Sequence, residues 1–416
     1  MGQIAGRFAR VEPRLRARQL VLGLLADLPR KNCWTSAEHS GDTSPDGLQH
    51  LLGRAKWDAD LVRADPRAFI VEHLADDQAV LVMDETGDLK KGTHTVGVQR
   101  QYTGTAGRIE NSQVAVYLTY TSPHGHAGID RALYLPKSWT SDPERCRQAA
   151  TPDEVGFATK PQLAQQMIER ALDAGVPTAW AAGDEVYGNN PNLRSALEKR
   201  QLGHALAVSS THRIPTPARP QRADHLAKRI PRRAWQKLSA GTGAKGHRRY
   251  DWAQVAITAN DLPGHQHLLV RRNRTTGELA YYRCCSPRPV PLLTLVKVAG
   301  SRWTVEETFQ SSKTLAGLDE HQVRRWDSWH RWVTLAAHAF LAVTAALERR
   351  HTPADDGTSP DGLIPLTCNE IQRLFTALLL QPVHDLAHRL RWSTWRRRHQ
   401  ARARHSHYSR QAALQP

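Results

Sequence analysis

Two apolar runs that each end in an aspartate constrain the fold of this chain more than any other feature. Residues 79–83 are followed by Asp84, and residues 180–183 are followed by Asp184. Short apolar runs of this kind are typical of strands that are buried on both faces of an α/β sheet. Because side chains at the ends of such strands converge on one crevice, we expect the two carboxylates to lie together.

A third acid follows far downstream in a segment with helical periodicity. Arg302, Glu306 and Lys313 are four and seven residues apart, so they return to within roughly 40° of one helix stripe. Val305 and Phe309 lie on the adjoining stripe and can anchor the helix against the sheet. The pattern predicts that Glu306 faces the aspartates, with Arg302 and Lys313 placed to meet phosphates. An exposed, salt-bridged helix is the alternative that the spacing alone leaves open.

Three carboxylates form a metal-ligand set that needs neither histidine nor cysteine. Mg²⁺, or Mn²⁺ in its place, prefers oxygen ligands and completes its shell with water and phosphate oxygens. Two such ions, held by Asp84, Asp184 and Glu306, can activate a water or a 3′ hydroxyl and stabilise the leaving oxygen. The chain has 57 Lys and Arg against 40 Asp and Glu, a net charge of +17, which predicts a polyanionic partner. Acids inside a cationic protein indicate phosphodiester chemistry on nucleic acid.

The basic surplus is concentrated near the C-terminus. Residues 389–410 contain eight arginines and no acid, and tryptophan and tyrosine are interleaved with them. Arg396, Arg397 and Arg398 form its densest run. We predict that this tail contacts nucleic acid.

The periodicity changes along the chain and predicts an α/β fold: a mixed sheet core with a β-rich insertion, an N-terminal helical domain and C-terminal helices. The N-terminal region is predicted to bind DNA, although a helical cap on the core fits its pattern equally well. Capping boxes are predicted at Thr35 with Glu38 and at Thr367 with Glu370, after a break at residues 353–365. The predicted divisions are 1–76 for the N-terminal region, 77–204 for the first part of the core, 205–295 for the insertion, 296–350 for the final core helices, and 351–416 for the C-terminal helix and arginine-rich tail.

The cysteines and the apolar segments exclude several classes of protein. The five cysteines form no CxxC pair, and Cys284 and Cys285 are neighbours whose side chains point to opposite faces of any strand. Neither a zinc module nor a disulfide framework is therefore indicated. No segment has the apolar core of a signal peptide or the length of a membrane span, so we expect a cytoplasmic protein without a membrane partner.

Several short motifs resemble those of the DDE transposases of bacterial insertion sequences, specifically the insertion sequence 701 type. The segments that carry the resemblance are DETG at 84–87, KKG at 90–92, VGVQRQY at 96–102, GTAG at 104–107, IDR at 129–131, LYLP at 133–136, GDEVYG at 183–188 and LDEHQVRRW at 318–326. The similarity extends from about residue 14 to residue 377.

The resemblance implies an RNase H-like core and divalent-metal-dependent cleavage at the ends of the element, followed by strand transfer into target DNA. By position, Asp84, Asp184 and Glu306 are the first, second and third acids. Arg302 and Lys313 fit the family's Y-x2-R-x3-E-x6-K signature, whose tyrosine position is Ala299 here. The implied partners are double-stranded DNA, as terminal inverted repeats and target, and a second copy of the chain, giving a homodimer on DNA within the bacterial nucleoid.

Two other functions remain compatible with the same residues. One is a catalytically silent DNA-binding regulator, and the other is a DNA endonuclease that cuts without strand transfer. A cleavage assay in Mg²⁺ separates the first from a transposase, and covalently joined products separate the second.

Overall fold

The computed structural model describes residues 2–243, 246–258, 262–348, 366–380 and 384–413. The chain divides into two compact units, one formed by Met1–Val62 with Ser311–Pro416 and the other by Arg63–Gln310. The predicted break at 353–365 and the boundary between residues 350 and 351 lie outside the described residues. Our division of the chain into five segments remains a prediction.

The described residues form helices in both units and strands in the second unit. The helices are α1 Val11–Leu25, α2 Cys33–His39, α3 Asp46–Gly53, α4 Ala59–Leu74, α5 Lys137–Thr140, α6 Pro143–Gln148, α7 Lys160–Asp173, α8 Glu185–Gly188, α9 Pro191–Lys199, α10 Ala223–Ala227, α11 Leu292–Gly300, α12 Arg302–Ala316, α13 Trp326–Glu348, α14 Cys368–Leu379 and α15 Leu386–Ala413. The strands are β1 Val80–Leu89, β2 Gln99–Thr103, β3 Arg108–Ser122, β4 Gly125–Leu133, β5 Trp180–Gly183, β6 Gly203–Val208, β7 Arg213–Ile214, β8 Gln221–Arg222, β9 Gln236–Gly243, β10 Gly246–Ala256, β11 His265–Arg272 and β12 Leu279–Ser286.

One ten-stranded mixed sheet organises the second unit, in the order β2-β3-β1-β5-β6-β12-β11-β10-β9, with β4 also paired to β3. Strands β1, β3 and β4 are antiparallel neighbours, whereas β5 and β6 run parallel to β1. This arrangement of five strands, with helices at both ends of the chain, confirms the predicted RNase H-like α/β fold. The predicted β-rich insertion continues the same sheet, because β12 pairs with β6 and begins an antiparallel extension.

The two faces of this sheet carry different helices. Val80 and Val82 of β1 share a core cluster with Val305 of α12 and with residues of α11. Glu85, on the opposite face by strand alternation, accepts a hydrogen bond from Lys160 at the start of α7. α11 and α12 therefore cover one face, and α7 covers the other.

The first unit is helical. Helix α1 packs against α2, α3 and α13, and its Leu20 and Leu24 are fully buried. Helix α15 is attached to α2 and the turn that follows it, because the Trp392 indole donates to the Asp42 carbonyl and Arg396 pairs with Glu38. None of the helices in the described part of the chain is both long and apolar enough to cross a membrane.

One of the two predicted helix caps is wrong. Helix α2 begins at Cys33, and the Asn32 side chain accepts hydrogen bonds from the backbone of Trp34 and Thr35, so Thr35 is the third helical residue rather than the cap. Asparagine is at least as good a cap as threonine, and here it starts the helix three residues earlier. At α14 the predicted N-cap is confirmed but only half of the predicted capping box is present, since Thr367 accepts a hydrogen bond from the Glu370 backbone.

Candidate active site

Asp84 and Asp184 lie where the parallel pairing of β1 with β5 ends, Asp84 within β1, which continues to Leu89, and Asp184 directly after β5. β1 and β5 are parallel, and Met83 lies opposite Gly183 in their register. The next residue on each strand is an aspartate, so the two Cα atoms are separated by about one interstrand spacing, roughly 5 Å. The sequence prediction that these two side chains meet at one sheet edge agrees with this placement.

Both aspartates lie on the face that α12 covers. Val82 and Ala182, two residues before each aspartate, belong to the same core cluster as Val305 of α12. Because side chains alternate along a strand, Asp84 and Asp184 project toward this helix. The apolar part of the strand anchors the helix, and the acids follow where the apolar contact ends.

Three contacts fix the position of α12. Its Val305 is fully buried, and its Thr304 hydroxyl lies 2.7 Å from the Thr121 hydroxyl of β3. One turn beyond Glu306, the Phe309 ring packs edge-on against Tyr117 at 5.3 Å, and Tyr117 is the register partner of Asp84 on β3. The helix therefore brings the turn that carries Glu306 toward the part of the sheet where β1 contains Asp84.

Arg302 links the three acids. Its guanidinium donates to Glu306 Oε1 at 3.0 Å, and its charge lowers the pKa of both Asp84 and Asp184. Glu306 is the most exposed of the three, with 44 % of its side chain accessible. The pairing of Arg302 with Glu306 was the alternative that sequence spacing left open, but here the ion pair lies beside two further carboxylates.

Burial disfavours the ionised form of both aspartates when no cation is bound. Asp84 is only 8 % exposed, and burial followed by repulsion from Asp184 raises the pKa of its carboxyl to about 7. The pKa of Asp184 is also raised, first by burial and then by the charge of Glu85. Two adjacent carboxylates that resist ionisation are a site where a bound cation is stabilising.

The donor set fits a hard divalent cation. Asp84, Asp184 and Glu306 offer only carboxylate oxygens, which Mg²⁺ and Mn²⁺ prefer. One Asp84 oxygen accepts a hydrogen bond from the Glu85 backbone, and one Asp184 oxygen accepts from the Val186 backbone. Backbone donors therefore hold one oxygen of each aspartate in place.

Sequence reasoning missed a second group of residues behind the aspartates. Glu85 accepts hydrogen bonds from Lys160 at 2.7 Å and from the buried Tyr187 hydroxyl at 2.6 Å. Since Tyr187 belongs to α8, which Asp184 caps, these bonds connect the two acid-bearing strand ends from the other face. The GDEVYG motif contained Tyr187, but nothing in the sequence indicated its partner.

The predicted phosphate-contacting residues lie in different parts of the chain. Arg302 is next to the acids, whereas Lys313 lies on the same helix but beyond residue 310, in the other unit. On α15, Arg397 and Arg398 are exposed, and Arg396 is paired with Glu38 at 2.6 Å. A solvent-exposed cationic helix is present, and its contact with nucleic acid remains a prediction.

Aromatic residues of the β-rich segment are mainly structural. Trp252, Tyr281 and Tyr282 are each less than 10 % exposed, and Trp252 and Tyr282 pack against each other with 5.9 Å between ring centroids. Trp252 and Tyr282 belong to the core cluster under α11 and α12, and Tyr281 belongs to a second core cluster on the other face, as strand aromatics usually do.

The fold is of the RNase H-like type, and comparison with known proteins gives the class of enzyme. Residues 5–267 match the model of the DDE superfamily endonuclease family, so the chain belongs to that family. The matched range includes Asp84 and Asp184 and ends before Glu306. A relative described as a probable transposase for insertion sequence element IS701, from Microchaete diplosiphon, is 27 % identical over 316 residues, which cover 74 % of this chain and 76 % of the relative.

Proposed function

We propose that this protein is a DNA transposase that cleaves at the ends of its own insertion sequence and transfers the freed 3′ ends into target DNA. The observation that carries the proposal is that Asp84 and Asp184 directly follow the last register pair of the parallel strands β1 and β5, on the face covered by the helix that carries Glu306. Membership in the DDE superfamily endonucleases and similarity to the probable IS701 transposase support the reaction class.

The three acids are proposed to hold two divalent ions, Mg²⁺ or Mn²⁺. When bound, the ions supply Lewis acidity to the attacking and leaving oxygens of an in-line phosphodiester displacement. Arg302 orients Glu306 and presents a guanidinium to a phosphate, and Lys313 provides a second cation further along α12. Glu85 accepts hydrogen bonds from Lys160 and Tyr187, and these bonds hold the two segments that carry the aspartates in place.

DNA binding is assigned to the surfaces outside this site. The arginine-rich helix α15 supplies phosphate contacts through Arg396, Arg397 and Arg398, and the N-terminal helical region, residues 1–76, is a second candidate reader of the terminal repeats. A reaction on two element ends requires two active sites, so we propose a homodimer on DNA. The protein would act in the bacterial cytoplasm, on nucleoid DNA.

One reaction tests the function. Purified protein is incubated with Mg²⁺, duplexes carrying the element's ends with flanking DNA, and a supercoiled target. We expect strand cleavage at the element boundary and products in which the element's 3′ ends are joined to target DNA. Binding without cleavage indicates a regulator instead, and cleavage without joined products indicates an endonuclease.

Arg302→Gln is expected to slow cleavage and to move the acidic limb of the pH–rate profile to higher pH by roughly one unit. The reason is that Arg302 lowers the pKa of Asp84, so its removal makes the carboxyl harder to ionise. Single-turnover cleavage rates between pH 6 and pH 9 measure the shift. Arg248→Gln is a matched control, because Arg248 pairs with Glu307 on the same helix. An unchanged pH profile in the Arg302 variant would contradict this role.

Replacing Arg397 and Arg398 together by alanine is expected to weaken DNA binding and to reduce the slope of log K against log salt by about 2, since each phosphate contact contributes about 0.9. Both side chains are exposed, so folding should be preserved. Arg396→Ala removes the ion pair with Glu38 and should instead loosen α15 from α2. Fluorescence anisotropy across a salt series measures the slope. A slope equal to that of the wild type would exclude these two arginines from the DNA interface.

A further inference from the structure

A second polar cluster lies in the same unit, on the face of the sheet opposite to the aspartates. His204 of β6 pairs in register with Cys285 of β12, and Cys285 pairs with Gln266 of β11. Ala205 and Cys284, their chain neighbours, belong to the core cluster under α11 and α12. Alternation therefore places His204 and Cys285 on the other face, where Glu198 of α9 meets them.

The three side chains converge closely. A ligand atom from each of Glu198, His204 and Cys285 lies within 4.8 Å of the other two, and His204 Nε2 is 4.0 Å from Glu198 Oε1. His204 is fully buried and Cys285 is 4 % exposed. Ligands of a tetrahedral zinc ion, at about 2.0 to 2.3 Å from the metal, are about 3.3 to 3.5 Å apart, so the three side chains would draw together slightly on binding.

The histidine has no partner in the protein that explains its burial. Neither ring nitrogen makes a hydrogen bond of normal geometry, and among its neighbours only the Leu202 carbonyl favours a proton on the ring. Burial, with the charges of Arg194 and Arg283, lowers the pKa of His204 to about 3, so the ring is neutral and has a lone pair to offer. A buried imidazole without partners costs free energy unless something binds it.

The other two groups are oriented by contacts from one loop and one strand. The Gln266 amide donates to Glu198 Oε1 at 3.1 Å and to the Pro263 carbonyl at 2.9 Å, and it therefore fixes the carboxylate. The Cys285 thiol points at the same Pro263 carbonyl at 3.5 Å. Hydrogen bonds that orient a ligand from outside are a regular property of metal sites.

We propose that Glu198, His204 and Cys285 form a structural zinc-binding site. A thiolate, an imidazole and a carboxylate are the ligand types that zinc accepts, whereas Mg²⁺ requires oxygen ligands. Binding forms a zinc–Sγ bond and releases the thiol proton of Cys285 to solvent. A water or the Gln266 carbonyl oxygen, which has no hydrogen-bond partner, supplies the fourth position.

Two arginines near the cluster set the charge that the site must tolerate. Arg194 and Arg283 both act on His204 and oppose a bound cation. The Glu198 carboxylate and the Cys285 thiolate offset the +2 charge of zinc, so the liganded centre itself is neutral. Burial, followed by the charge of Glu198, raises the pKa of Cys285 to about 12, and Arg283 offsets this only in part, so the thiol gives up its proton only when zinc binds.

The test is metal binding by the full chain, carried out in the Asp84→Asn background so that zinc at the catalytic acids is not counted. We expect about one zinc ion per chain by mass spectrometry after exhaustive dialysis, and Co²⁺ replacement should give a thiolate charge-transfer absorption. Cys285→Ser should remove that absorption and weaken zinc binding at least tenfold, as should His204→Gln. Cys284→Ser is the matched control, since its side chain lies on the opposite face of the same strand.

A protein that binds no zinc, or a Cys285→Ser variant that binds zinc as tightly as Cys284→Ser, would overturn the proposal. If Cys285→Ser does not fold, the cobalt spectrum of the parent protein still decides, because a band without sulfur character excludes Cys285 as a ligand. These readouts are independent of DNA cleavage. Failure of the zinc site would leave the proposed transposase reaction untouched, and failure of cleavage would leave the zinc result standing.

Discussion

Asp84→Asn, Asp184→Asn and Glu306→Gln are each expected to lower the rate of DNA cleavage by roughly 10³-fold or more. Loss of one metal ligand removes several kcal/mol of charge stabilisation, and each 1.36 kcal/mol is about a factor of ten in rate. DNA affinity should change little, because removing one metal ligand alters the placement of the metal more than it alters the basic surface. The measurements are single-turnover cleavage in Mg²⁺ and anisotropy with the same duplex.

The chain offers a close control for these variants. Glu307 is adjacent to Glu306 on α12, but its carboxylate pairs with Arg248 at 2.8 Å. Glu307→Gln changes the same charge on the same helix turn and should keep most of the cleavage activity. Full strand transfer by Asp84→Asn, or equal loss in Glu306→Gln and Glu307→Gln, would contradict the assignment of the three acids.

Asp84→Asn is also expected to stabilise the protein when divalent ions are absent. Folding raises the pKa of Asp84 from 3.8 to about 7, so the folded chain binds a proton that the unfolded chain releases within this window. The free energy of unfolding therefore falls as pH rises from about 4 to about 7, and the full penalty is present above pH 7. At about 1.4 kcal/mol per pKa unit, the asparagine variant gains a few kcal/mol at pH 8 and almost nothing at pH 4.

Thermal unfolding with excess EDTA measures this gain. The difference in midpoint between the variant and the wild type should grow between pH 4 and pH 8, and Mg²⁺ should then stabilise only the wild type. Asp153→Asn removes an exposed carboxylate and serves as the control. A variant that is less stable than the wild type at pH 8 would show that the ionised Asp84 carboxylate does not destabilise the folded protein.

The position of the aspartate pair followed from the sequence because it depends on local order. Each acid directly follows a buried apolar run, and because these runs pair in parallel as part of β1 and β5, the two acids lie side by side; β1 itself continues to Leu89, which the sequence did not indicate. Helical spacing predicted that Arg302 and Glu306 share a stripe, and Arg302 pairs with Glu306 and acts on the Asp84 carboxyl. The antiparallel strands after β6 were also predicted, although their continuity with the core sheet was not.

Other features depend on contacts between residues that are far apart in the sequence, and local sequence patterns cannot predict such contacts. Glu85 meets Tyr187 across 102 residues, and its role depends on α8 turning back over the end of β1. Glu198, His204 and Cys285 have no recognisable spacing, because the register between β6 and β12 brings them together. The cap of α2 was misplaced because two residues three positions apart, Asn32 and Thr35, are both good helix caps and only one can start the helix.

The most direct test of the three-acid site is a crystal structure of the protein with end DNA and Mn²⁺, in which anomalous scattering locates the metal. The account predicts manganese at about 2.1 to 2.3 Å from carboxylate oxygens of Asp84 and Asp184, with Glu306 completing the protein ligands. Anomalous peaks confined to other residues, or a Glu306 side chain that remains paired with Arg302 and away from the metal, would contradict it.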